Sequence, residues 1–153
     1  MSELTIIRNN PHPHGVNGHH VHVRVPVDRN TLAKRRWRGI AEDGKDFGFD
    51  LAEPINHGAH FFAVGDNYYV IEQQPEEVLE IPVTTPEQAA RVAWNLGNLH
   101  FGVEVLPNAV RVAPDPAVQQ FLAREGVSFQ RVQAIFRPLS AGAHHHSHEH
   151  HHG

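Results

Sequence analysis

The sequence predicts an α+β protein, on three observations. Short apolar segments with period-two alternation, separated by tight turn signals, fill the first half. In the second half two capped stripes at helical spacing interleave with apolar strands. The last residues, from Ser140, are almost entirely polar and carry seven histidines.

Each element follows in order. Over His20–Val27, Val21, Val23 and Val25 alternate with His20, His22 and Arg24, the signature of a half-buried strand. Asp28–Arg38 is basic, with Lys34, Arg35, Arg36 and Arg38 beside Trp37, and reads as a solvated face or an edge-strand guard. Asp43-Gly44 is a hairpin turn between strands at Trp37–Ala41 and Asp46–Leu51. Strands at Ala59–Val64 and Tyr68–Gln73 meet across Gly65-Asp66-Asn67, completing a small sandwich or barrel.

The character changes near Gln74-Pro75. A strand at Val78–Val83 precedes a capping box, with Thr85 as N-cap, Pro86 at N1 and Gln88 reaching back from N3. Ala89, Val92, Ala93 and Leu96 then form a core-facing stripe, with Gly97 as the expected C′ residue. Strands at Phe101–Val105 and Ala109–Val112 pair across the turn starting at Leu106. Asp115-Pro116 opens a second helix that turns Val118, Phe121 and Leu122 inward and ends at Gly126; Val127–Phe136 is the closing strand. The expected domains are therefore an all-β unit over 1–74, a ferredoxin-like β-α-β-β-α-β unit over 75–139, and a disordered histidine-rich tail over 140–153.

Composition narrows the chemistry. Among 153 residues there are no cysteines, which excludes disulfides, thiol nucleophiles and thiolate metal sites. No apolar run approaches the ~20 residues of a membrane span, and Met1–Asn10 lacks a signal-peptide core, so a soluble, cytoplasmic protein is expected. The formal net charge of −4 gives no basic excess for nucleic acid.

Histidine is the unusual feature: 15 residues, about a tenth of the chain. Five lie at His12, His14, His19, His20 and His22, three at His57, His60 and His100, and seven in the tail at His144, His145, His146, His148, His150, His151 and His152. Ser147 and Glu149 interrupt the terminal run and Gly153 follows it, which reads as a native tail rather than an expression tag. His20 and His22, two apart on a strand, share a face and either chelate or sit solvated; His57 and His60 flank a loop entering a strand. His100 follows the first helix, where the dipole favours a cation or a metal-bound imidazole; the bland reading is a surface ring beside Phe101. One imidazole binds a divalent ion weakly, but a two-fold axis sets a residue beside its twin, and tail histidines can complete the shell. Imidazole suits Ni²⁺, Zn²⁺ and Cu²⁺.

Leu96-Gly97-Asn98-Leu99-His100, followed by a hairpin, a helix, a last strand and a histidine-rich tail, resembles the urease accessory protein E (UreE) family of nickel metallochaperones. Arg35-Arg36-Trp37-Arg38 leading to Glu42-Asp43-Gly44-Lys45 is similar to that family's N-terminal domain, as is Val78-Leu79-Glu80-Ile81 to its domain junction. The resemblance runs from about Val23. It implies a homodimer formed through the ferredoxin-like domains, nickel bound at the interface by His100 with tail histidines adding ligands, and as partners the urease apoprotein and its other accessory proteins, including the accessory GTPase. The family segment usually reads HLGNRH; here Asn95 replaces the first histidine and Leu99 the arginine.

Three other readings compete. A metal-dependent enzyme needs three rigid ligands and a placed acid or base, and HExxH is absent. A non-specific metal-storage or buffering protein needs only the tail. A nucleic-acid module would use Lys34–Arg38, but lacks a recognisable aromatic RNA-binding motif.

Overall fold

Alternating valines bury one side of the strand Val21–Val27 and leave His22, Arg24 and Pro26 outside, so the local pattern already chooses the core face. The structure, a computed structural model, describes residues 3–10 and 21–139. It divides into two compact units, 1–75 and 76–153. The four N-terminal histidines His12–His20 and all seven tail histidines, with the expected disorder of the tail, lie outside the described residues.

The first unit holds β1 (Leu4–Ile7), β2 (Val21–Val27), α1 (Arg29–Leu32), β3 (Arg36–Ile40), β4 (Asp46–Asp50), β5 (His60–Val64) and β6 (Asn67–Gln73). Two three-stranded sheets, β1-β4-β3 and β2-β6-β5, contribute to one core. Its centre is Phe47, fully buried, with the rings of Phe61, Tyr69 and Phe62 at 4.9, 5.1 and 5.5 Å. Two elements lie outside the expected set, and the first of them is not β. α1 is a single turn inside the basic segment, started by Asp28, which accepts the backbone N–H of Thr31 at 2.9 Å. β1 pairs parallel to β4, a partner some forty residues away.

Asp43 sits in the β3–β4 turn, where Gly44 takes the left-handed conformation. The Tyr69 hydroxyl donates to Asp43 Oδ2 at 2.5 Å, and the backbone N–H of Lys45 to Oδ1 at 3.0 Å. The bond to Asp43, helped by burial, pushes Tyr69 up to about 12. Burial pulls Asp43 upward, but these hydrogen bonds outweigh it and hold the carboxyl below its ordinary value. A tyrosine raised on folding stabilises the fold fully below its unfolded value near 10, and that contribution is lost as pH rises from about 10 to 12. The depressed carboxylate acts at the other end, contributing above about pH 4 and failing as pH falls further. Denaturant midpoints followed from pH 9 to 12 should therefore fall more steeply for the natural protein than for Tyr69→Phe; coincident curves would show that the pair carries no such coupling.

The second unit holds β7 (Glu76–Pro82), α2 (Pro86–Asn98), β8 (Val103–Leu106), β9 (Ala109–Val112), α3 (Pro116–Arg124) and β10 (Gln130–Ala134). Its sheet has the order β10-β7-β9-β8, antiparallel throughout. Leu79, Ile81, Val110 and Val112 meet Val92 and Leu96 of α2 and Val118 and Leu122 of α3 in its core. On the sheet, Arg111 of β9 bridges Glu80 of β7 at 2.8 Å and Glu104 of β8 at 3.4 Å, a charge ladder over three strands. Among the described residues no helix is long and apolar enough to cross a membrane.

Both helix starts form as the sequence suggests, with one difference. Thr85 Oγ1 accepts from the Gln88 backbone N–H at 3.1 Å, and Asp115 Oδ1 from that of Ala117 at 2.8 Å. Gln88 reaches one residue beyond the N-cap: its Oε1 accepts the backbone N–H of Thr84 at 2.9 Å rather than that of Thr85. The end of α2 differs more. Gly97 lies inside the helix, and the residue beyond its C-cap Leu99 is His100.

Candidate metal centre

His100 is the one described non-glycine residue with positive φ, at 68°. It occupies C′ of a Schellman motif: its own N–H bonds the Gly97 carbonyl at 2.9 Å, and the Phe101 N–H bonds the Leu96 carbonyl at 3.0 Å. α3 ends in the same way with glycine in that place. There Gly126 has φ 66°, its N–H bonds Ala123 at 3.2 Å, and the Val127 N–H bonds Leu122 at 2.9 Å. At α2 the chain thus holds a side chain where glycine is the easy choice, at a cost on the order of 1 kcal/mol. Leu96 and Phe101, both packed in the core, clamp the motif and leave the imidazole exposed. The local signal that misled was Gly97 itself, since the left-handed residue stands three positions later.

The end of the described chain returns to this place. The Leu139 backbone N–H bonds the Val103 carbonyl at 2.8 Å, and Pro138 Cβ lies 3.2 Å from where a Cβ on Gly102 would stand. Pro138 and Leu139, at the root of the tail, therefore meet Gly102 and Val103, two and three residues after His100. Neither feature is visible in a one-dimensional reading of the chain.

The other candidates separate. His57 Nδ1 accepts the Gln73 backbone N–H at 3.0 Å, which ties it to β6. His60 is not paired with His57; its Nε2 lies 3.1 Å from Nδ1 of His22. The basic segment is partly matched across its own hairpin. Arg36 Nε donates to Asp50 at 2.9 Å, and Arg38 makes a two-pronged bond to buried Asp46, holding that carboxyl below its ordinary value. Among the described residues no group of three or more His, Asp or Glu side chains stands ready for a metal ion.

The family model for the UreE urease accessory protein, C-terminal domain, matches residues 76–153, the unit that carries His100 and the tail. The urease accessory protein UreE of Nitrosococcus oceani is 31% identical over 125 residues, 78% of this chain and 75% of that one. The chain belongs to the UreE family. UreE of Ralstonia nicotianae is 31% identical over 153 residues, 95% of this chain and 72% of its own. UreE of Acinetobacter baylyi is 27% identical over 123 residues, 79% and 77% of the two chains. UreE is a family of accessory proteins and not of enzymes, which removes the metalloenzyme reading. In this UreE chain Asn95 is half-buried and donates to the Arg91 carbonyl one turn back at 2.8 Å, so its amide is engaged by the helix. Leu99, in the arginine's place, is 43% exposed and leaves an apolar surface beside His100.

Proposed function

We propose that the protein is a nickel-binding metallochaperone that serves urease maturation by delivering Ni²⁺ for the active site. The observation that supports this most directly is the placement of His100, an exposed imidazole on a rigid helix end, beside the point where the tail root meets β8. Imidazole is a ligand for Ni²⁺, and nickel here is cargo, which favours few and exchangeable ligands over a closed cage.

Two copies joined through the second unit would set one His100 beside the other. An apolar surface on α2 and β8 suits such an interface. Trp94 is 68% exposed and Val105 48%, and Ala89, Ala90, Ala93 and Pro107 line a shallow groove next to them. The first tail histidine, His144, is five residues beyond Leu139, a reach of at most roughly 17 Å. Tail histidines 144, 145, 146, 148, 150, 151 and 152 would then capture the ion and add ligands at high effective concentration. The partners in this reading are the urease apoprotein and its other accessory proteins, including the accessory GTPase.

The tail alone would equally serve non-specific storage, and site hierarchy separates the two. Nickel calorimetry on the full chain and on a chain ending at Ala143 should show one tight nickel per dimer in both, with total capacity falling in the shorter one. The shorter chain should also still raise the activity of urease apoprotein at limiting nickel. Capacity that merely tracks histidine count, with no tight site left after truncation, would favour storage.

A further inference from the structure

The first unit carries a histidine pair that the reading of His100 does not use. His22 stands on β2 opposite Tyr68 of β6, and His60 on β5 opposite Val70 of the same strand. β6 lies between the two, so both rings lean over it on the side away from the core. Strand parity explains His22: Val23, Val25 and Val27 take the core face and leave the alternate residues outside. A register shift between His60 and Phe62 explains His60. Because of that shift Phe61 and Phe62 both pack on Phe47, at 4.9 and 5.5 Å, while His60 stays on the outer face.

The rings meet edge to face, with centroids 5.0 Å apart and planes at 68°. His60 Nε2 and His22 Nδ1 are 3.1 Å apart and share one proton. Two imidazole nitrogens on one ion, each at about 2.0–2.1 Å and roughly 90–110° apart, are separated by about 2.9–3.4 Å. The observed spacing is that bite, so an ion can replace the shared proton after a small rotation that turns both lone pairs toward it.

We propose that His22 and His60 form a second binding site, for a divalent first-row transition ion, on the outer face of β2-β6-β5. With no third His, Asp or Glu beside it among the described residues, the site has two protein ligands and leaves the other coordination positions to solvent. Such a site is weaker and faster-exchanging than a closed one. It stands in the other compact unit from His100, so its success or failure is independent of the proposed chaperone site.

Zn²⁺ titration of the full chain, followed by the ring ¹⁵N signals of histidine, tests the proposal. The His22 Nδ1 and His60 Nε2 signals should move together along one binding curve. His60→Gln should weaken the His22 response at least about tenfold, and His22→Gln the His60 response likewise, because each removes half of a chelate. The His100 signal should respond unchanged in both. If one variant fails to fold, the reciprocal one still reads the pair. Unmoved His22 and His60 signals after His100 has responded would overturn the proposal, as would a His22 response that survives His60→Gln intact.

Discussion

Replacing His100 by alanine should abolish the tightest nickel site while leaving the protein folded. Loss of a partner that merely orients a metal ligand already costs roughly 10–100-fold in affinity; if His100 ligates from both copies of a dimer, as proposed, its removal should cost at least about 100-fold. A second substitution separates ligation from backbone shape. His100 is held at φ 68° in a place where α3 uses Gly126. His100→Gly should therefore lose nickel like the alanine variant yet gain on the order of 0.5–1 kcal/mol in stability, as a left-handed side chain is relieved and part of the gain returns as unfolded-state entropy. His100→Ala keeps a Cβ in that conformation and should gain nothing. Calorimetry with Ni²⁺ and denaturant unfolding of the three proteins check both halves. An alanine variant with its tightest site intact would sink the interface-ligand reading, and a glycine variant no more stable than alanine would show that the helix end carries no strain.

Phe47→Ala should be the most damaging single core substitution in the first unit, costing about 3–5 kcal/mol. The ring is fully buried at the meeting of four others: Phe61, Tyr69, Phe62 and, at 6.3 Å, Phe49. These come from β4, β5 and β6, so no neighbour can close the void without moving a strand. Since domains are stable by only about 5–15 kcal/mol, the loss should appear as a large drop in the denaturant midpoint. Phe47→Leu should lose much less, and a Phe47→Ala protein of unchanged midpoint would mean that the cluster relaxes to fill the space.

Both substitutions bear on how much of this chain is legible in one dimension. The strands around Asp43-Gly44, the pair Thr85-Pro86 and Asp115-Pro116, and the inward residues Leu96, Val118 and Leu122 are local signals. They rest on period, cap chemistry and turn chemistry within a few residues, and they agree with the structure. β1 was missed because only four residues form it, and Leu4 and Ile6 stay 42% exposed; its partner is β4, and nothing local announces a parallel pairing over that distance. α1 has a sequence signal in Asp28, but one turn within a basic run is too short to show a period. Gly97 marks the helix end too early, because glycine is a common stop; the helix runs on to Asn98 and is closed by the bond from the Phe101 N–H to the Leu96 carbonyl.

The site divides along the same line. The residue types available to it are legible in the sequence: no thiols, abundant imidazole, and a candidate histidine just after the first helix that the family resemblance marks as the expected ligand. The tertiary structure alone decided three further things. It set His100 in a left-handed cap, returned Leu139 to Val103, three residues past that cap, and joined His22 to His60 across a strand. Composition and caps act over a few bonds and can be read along the chain. Contacts between residues 38 apart, or between Leu139 and an edge strand 36 residues back, depend on strand order and on a bulge, and these are chosen by which packing buries the most apolar surface with every backbone group paired.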